Sequence, residues 1–86
     1  MSNRRRPHDP LRPLWICRSC AVPWPCASAR LLLTAEFHGD RVSLAVYLAA
    51  VLHDAARDLT RLNPDPGPDS ADLFTRFIAW TRRDPP

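Results

Sequence analysis

The clearest hydrophobic rhythm in the chain runs from Arg41 to Leu62. There Leu44, Leu48, Leu52, Ala55, Leu59 and Leu62 recur at steps of three and four, which places them on one face of an amphipathic helix. Arg41, Asp54, Arg57, Asp58 and Arg61 supply much of its polar surface, and Asp40 is well suited to cap its N-terminus. A shorter helix is expected upstream over Ser28–Phe37, with Leu31, Leu32 and Phe37 available to the core. Gly39 can adopt the left-handed conformation that ends it. The run Asn63-Pro-Asp-Pro-Gly-Pro-Asp69 is a breaker that no helix crosses. Asp69 or Ser70 then caps a third helix over Ser70–Thr81, with Asp72 near the positive end of its dipole. Leu73, Phe74, Phe77, Ile78 and Trp80 give that helix an aromatic face. No alternating strand pattern and no internal repeat is visible.

The first third of the chain breaks the helical rhythm. Pro7, Pro10 and Pro13 recur every three residues and bias residues 1–14 toward an extended arm. Residues 15–26, Trp-Ile-Cys-Arg-Ser-Cys-Ala-Val-Pro-Trp-Pro-Cys, are too proline-rich for a helix and too short for a sheet, and read as a knuckle. The predicted organisation is an extended basic arm over 1–14, one domain over 15–81 and a tail over 82–86. The fold class is mainly α, with an N-terminal metal-binding knuckle followed by a helical hairpin and a third short helix.

Size makes the knuckle matter. A chain of 86 residues with ten prolines buries little more than half of its unfolded surface, and such domains recruit a staple. Three cysteines are an odd number, so a complete disulfide framework needs another chain. Residues 1–16 contain no apolar run of the length a secretory signal requires, and nothing approaches the roughly 20 apolar residues of a membrane span. The expectation is a soluble cytoplasmic protein whose thiols stay reduced and available to a metal.

Cys17-x2-Cys20 sets two thiolates on one tight turn, and Cys26 follows after a return path stiffened by Pro23 and Pro25. Three thiolates and one imidazole suit zinc, which imposes no redox demand. Arg18 and Arg30 flank the site and can offset its negative charge. An iron–sulfur cluster lacks its fourth cysteine, and a thioredoxin-like redox pair lacks its βαβ context. The fourth ligand is open on geometry. His38, at the far end of the first helix, is the poorest choice. His8 can fold back on the arm, and His53 comes level with Cys26 if the first two helices form an antiparallel hairpin.

Charge and the remaining residue types add less. All twelve basic residues are arginine, with a balance of +5 over residues 1–30 and −2 over 31–86. A basic head on a mildly acidic body can meet nucleic acid or an acidic protein face, though no helix carries a concentrated basic face. Ser43, His53 and Asp54 are residue types of a hydrolase triad, but on one helix they point in different directions. A zinc ion with four protein ligands has no open position for a catalytic water.

The pattern His8-x-Pro10-x-x-Pro13-x-Trp15-x-Cys17-x-x-Cys20, followed by Pro23-Trp24-Pro25-Cys26, resembles small proteins of high-GC Gram-positive bacteria. Tyr47-Leu48-Ala49, Asp58-Leu59 and Leu73-Phe74-x-Arg76-Phe77-x-x-Trp80 extend the resemblance over His8–Trp80. Such proteins are commonly described as flavin reductases or as proteins of unknown function. The resemblance implies His8 as the fourth metal ligand, and Ala21 stands where the pattern usually has glycine. From the residues themselves, two glycines, no phosphate-cradling loop and no strand pattern give no flavin site. Trp15 and Trp24 can shield a zinc knuckle or stack on a ring. The function expected is a non-catalytic zinc-binding interaction or regulatory module. It would dock on a protein partner, or on itself, through Trp15, Trp24, Phe74, Phe77 and Trp80. Nucleic-acid binding and flavin reduction are the alternatives.

Overall fold

Three helices form where the hydrophobic rhythm places them. The computed structural model describes residues 8–82; the basic run Arg4–Arg6 and residues 83–86 of the expected tail lie outside the described residues. Helix α1 spans Ala27–Phe37, α2 spans Arg41–Leu62 and α3 spans Ser70–Phe77, followed by a 3₁₀ turn over Ala79–Arg82. Asp40 caps α2 by accepting from the Ser43 N–H at 3.0 Å, and Asp69 caps α3 by accepting from Ala71 at 2.8 Å. Both satisfy backbone donors that a helix start leaves unpaired. Gly39, at φ +82°, follows His38, which is itself left-handed at φ +47°, and together they turn the chain from α1 into α2. None of these helices is long and apolar enough to cross a membrane.

Two expectations about the helices change. The third helix does not run to Thr81 as α-helix, because its final turn tightens to 3₁₀ geometry after Ile78. In α1, Leu31 and Leu32 face outward at 73% and 48% exposure, and the buried positions are Ala29 and Leu33. The reason is phase. The helix starts on Cys26, whose side chain is held inside the knuckle, so the face continued by Ala29, Leu33 and the half-buried Phe37 turns inward. Leu44, Leu48 and Ala55 of α2 are buried as its stripe predicts, while Leu62 is exposed. At about 1.5 Å per residue α2 is far longer than α3 and outruns the elements packed on it.

The N-terminal segment also differs from a plain extended arm. Residues Pro10–Leu11 (β1) pair antiparallel with Ile16–Cys17 (β2), in the register Pro10↔Cys17 and Leu11↔Ile16. A strand of two residues has no alternation to read, so it is invisible to hydrophobic pattern. One core then joins knuckle and helices: Trp15, Cys17, Trp24 and Cys26 pack in the same cluster as Leu33, Leu48, Leu73 and Phe77. Phe77 is fully buried, and its ring centroid lies 5.8 Å from Trp15 and 6.0 Å from Trp24. These separations suit edge and tilted aromatic packing.

Candidate metal centre

The knuckle is assembled by backbone hydrogen bonds around Cys17. The Cys17 N–H donates to Val22 O at 2.7 Å, and the Ala21 N–H donates back to Cys17 O at 2.8 Å. An isolated bridge between Ile16 and Pro23, and a Trp24 N–H bond to Trp15 O at 2.9 Å, bring the return strand alongside. Ala21 closes the turn at φ +60°, a left-handed conformation that glycine adopts without a Cβ penalty. His8 is drawn over the turn by two contacts. Its N–H reaches Ser19 Oγ at 3.3 Å, and its carbonyl accepts from Trp24 Nε1 at 2.7 Å.

These contacts converge four donors. His8 Nδ1 lies 3.3 Å from Cys17 Sγ, 3.4 Å from Cys20 Sγ and 3.4 Å from Cys26 Sγ, and the sulfurs of Cys17 and Cys26 are 3.7 Å apart. All four ligand atoms lie within 4.8 Å of one another. Zinc bonds of about 2.3 Å to sulfur and 2.0–2.1 Å to nitrogen give tetrahedral edges of about 3.8 Å (S···S) and about 3.6 Å (S···N). The observed separations are close to those edges. The donor set and its spacing therefore fit a tetrahedral metal ion.

The sulfurs are supported for a charged role. Cys17 and Cys26 are buried, at 1% and 6% exposure, while Cys20 is at the surface, and none of the three is in a disulfide. Cys26 Sγ accepts from the Ala29 N–H at 3.4 Å as the N-cap of α1, so a thiolate there sits at the positive end of the helix. Burial pushes the Cys17 thiol up, but hydrogen bonds from Cys20 N–H, His8, Ser19 N–H and Cys26 outweigh it and bring it down to about 6. Cys20 goes the other way, to about 11, through desolvation first and then its bonds to Cys17 and Cys26 and their charge. One anionic sulfur thus discourages the next. A cation is what relieves that repulsion.

The other sequence-nominated residues fall elsewhere. His53 lies on α2 between the buried positions Leu48 and Ala55 but on the opposite side, and is exposed. His38 caps α1, also exposed. The helical hairpin exists, yet the rotation of α2 turns His53 away from Cys26. Ser43 Oγ donates to Asp40 at 2.7 Å, apart from His53. Trp15, Trp24 and Phe77, expected on a docking surface, are core residues at 3%, 3% and 0% exposure, Trp80 is partly buried, and Phe74 is exposed at 40%. The helices cover the knuckle tryptophans, and Leu31, Val42 and Val46 are the most exposed of the apolar side chains left at the surface.

Two anchors were not legible as such. Asp58 on α2 accepts from Arg12 Nε at 2.8 Å, from Arg12 Nη2 at 3.2 Å and from the Trp15 indole at 2.8 Å. The Arg12 bond first, and then the Trp15 bond, hold this carboxyl below its ordinary value, and the same pairing raises Arg12. Arg76 on α3 donates Nε to Trp24 O at 2.7 Å and Nη2 to Trp15 O, with desolvation pulling its guanidinium down. Arg76 lies between Thr75 and Phe77 on α3, a placement that does not by itself show which carbonyls it reaches. Comparison of the chain with known protein families, curated proteins and solved structures gave no match.

Proposed function

We propose that this chain is a small cytoplasmic zinc protein whose metal is structural, and that it serves as a non-catalytic interaction or regulatory module. The observation that carries this reading is the placing of His8 Nδ1 3.3–3.4 Å from all three cysteine sulfurs. Three sulfurs and one nitrogen at tetrahedral separations favour zinc over harder cations, and four protein donors leave no position for a substrate or water. The metal's contribution is to fold residues 8–26 onto the helices. Arg12 and Arg76 are turned into Asp58 and the knuckle carbonyls, which removes them from any basic face and favours a protein partner over nucleic acid. Exposed Leu31, Val42 and Val46 supply apolar surface for such a partner.

Elemental analysis of the purified chain, with a thiol count before and after denaturation, tests the reading. One zinc per chain is expected, with three thiols reacting only after chelation, and loss of helical circular dichroism in strong chelator. A metal-free chain that stays folded would overturn it. NADH oxidation with added flavin is expected at background for zinc-replete protein.

A further inference from the structure

A second feature lies away from the metal. A cleft of about 380 Å³ beside His8 is lined mainly by apolar side chains together with Asp9 and Glu36, and a larger one of about 630 Å³ opens between α1, the start of α2 and the 3₁₀ turn. The larger cleft has apolar walls, including Leu31, Leu44 and the face of Trp80, and two guanidinium groups, Arg30 and Arg41. Among the described residues, no carboxylate lines it. Asp40, the acid next to Arg41 in sequence, is engaged by the Ser43 N–H and hydroxyl. Arg30 uses Nε on Pro25 O at 3.2 Å and sits 5.6 Å from the Trp80 ring centroid, while Arg41, among the described residues, reaches Thr81 O at 3.4 Å.

Among the described residues, neither arginine is paired with an acid. Trp80 Nε1 is buried, with no hydrogen-bond partner among the described residues. A buried indole N–H normally finds an acceptor, because leaving it without one forfeits its hydration. Two guanidinium groups with no acid partner among the described residues, set beside apolar walls of small-molecule size, define one complementary chemistry.

We propose that this cleft binds a carboxylate carried on an apolar or aromatic body. The carboxylate pairs with Arg41 and Arg30, and the ligand body lies against Leu31, Leu44 and the Trp80 ring. The site stands whether or not the metal is zinc.

Two carriers of this chemistry separate its sources: 4-phenylbutanoate for a free acid, and N-acetyl-Leu-Phe for a peptide chain end. Each is titrated into the zinc-loaded full chain and followed by the indole N–H signals, with Trp80 assigned by its loss in Trp80→Phe. A saturable shift of the Trp80 signal is expected with at least one carrier, at least about tenfold tighter than with its neutral amide. Arg41→Gln, whose side chain makes no contact with the knuckle, weakens that binding by about tenfold while zinc content and helicity stay unchanged. Arg30→Gln serves as the second variant, its zinc content checked because of the Pro25 bond. Equal binding of acid and amide, no shift through the millimolar range, or an indifferent Arg41→Gln would overturn the proposal.

Discussion

Replacing Phe77 with alanine asks whether the helices and the knuckle are one cooperative unit. Phe77 is fully buried, and its ring touches both knuckle tryptophans. Truncating a buried phenylalanine costs about 3–5 kcal/mol, as lost transfer free energy plus the cavity left behind. A chain of 86 residues has only about 4–13 kcal/mol of total stability at about 0.05–0.15 kcal/mol per residue. The substitution therefore removes roughly a quarter of that stability or more. Where metal binding and folding are linked, the loss is withdrawn from the apparent metal affinity. At about 1.4 kcal/mol per tenfold, zinc binding weakens by about a hundredfold to a few thousandfold. Competition with a chromophoric chelator measures this, with tryptophan fluorescence following the knuckle. Phe77→Leu retains most of the volume and loses about tenfold at most. Leu62→Ala, at the exposed end of α2, stays within about threefold. If Phe77→Ala binds zinc as the unaltered chain does while losing helix content, the knuckle is self-sufficient and the reasoning fails.

The ligand set is tested by cobalt substitution. His8→Ala should weaken binding and alter the tetrahedral absorption bands, whereas His53→Ala should change neither; the reverse would reassign the fourth ligand. Ala21→Gly relieves a left-handed alanine at φ +60° and should raise stability by about 0.5–1 kcal/mol in urea melts, net of the added chain entropy. A loss instead would show that this turn is unstrained. Asp58 is held below its ordinary carboxylate value by Arg12 and Trp15. Its contribution is thus complete above that ordinary value and is lost as pH falls through the lower folded one. At saturating zinc, the urea-midpoint gap between the unaltered chain and Asp58→Asn should be flat near neutrality and narrow in acid. A gap that widens as pH falls would contradict the pairing.

Much of the site was legible because its signals are local. A thiol pair with two residues between them, a third cysteine after a proline-stiffened return and a helical stripe from Leu44 to Leu59 depend on neighbours in sequence. Asp40 and Asp69 were readable as caps for the same reason. The choice between His8 and His53 was not open to such reasoning, since it turns on how α2 is rotated about its axis. The burial of Ala29 and Leu33 instead of Leu31 and Leu32 has the same origin, for α1 takes its phase from Cys26.

Periodicity and spacing alone determine three helices, their caps and a cysteine knuckle, because these follow from backbone geometry over a few residues. The tertiary structure decided everything that joins distant segments. It paired Arg12 with Asp58, ran Arg76 back to Trp15 and Trp24, and buried Trp15, Trp24 and Phe77, which were expected at the surface. It also left Arg30, Arg41 and Trp80 around one cleft. Such contacts are set by which faces the whole chain can cover at once, a constraint that no single segment carries.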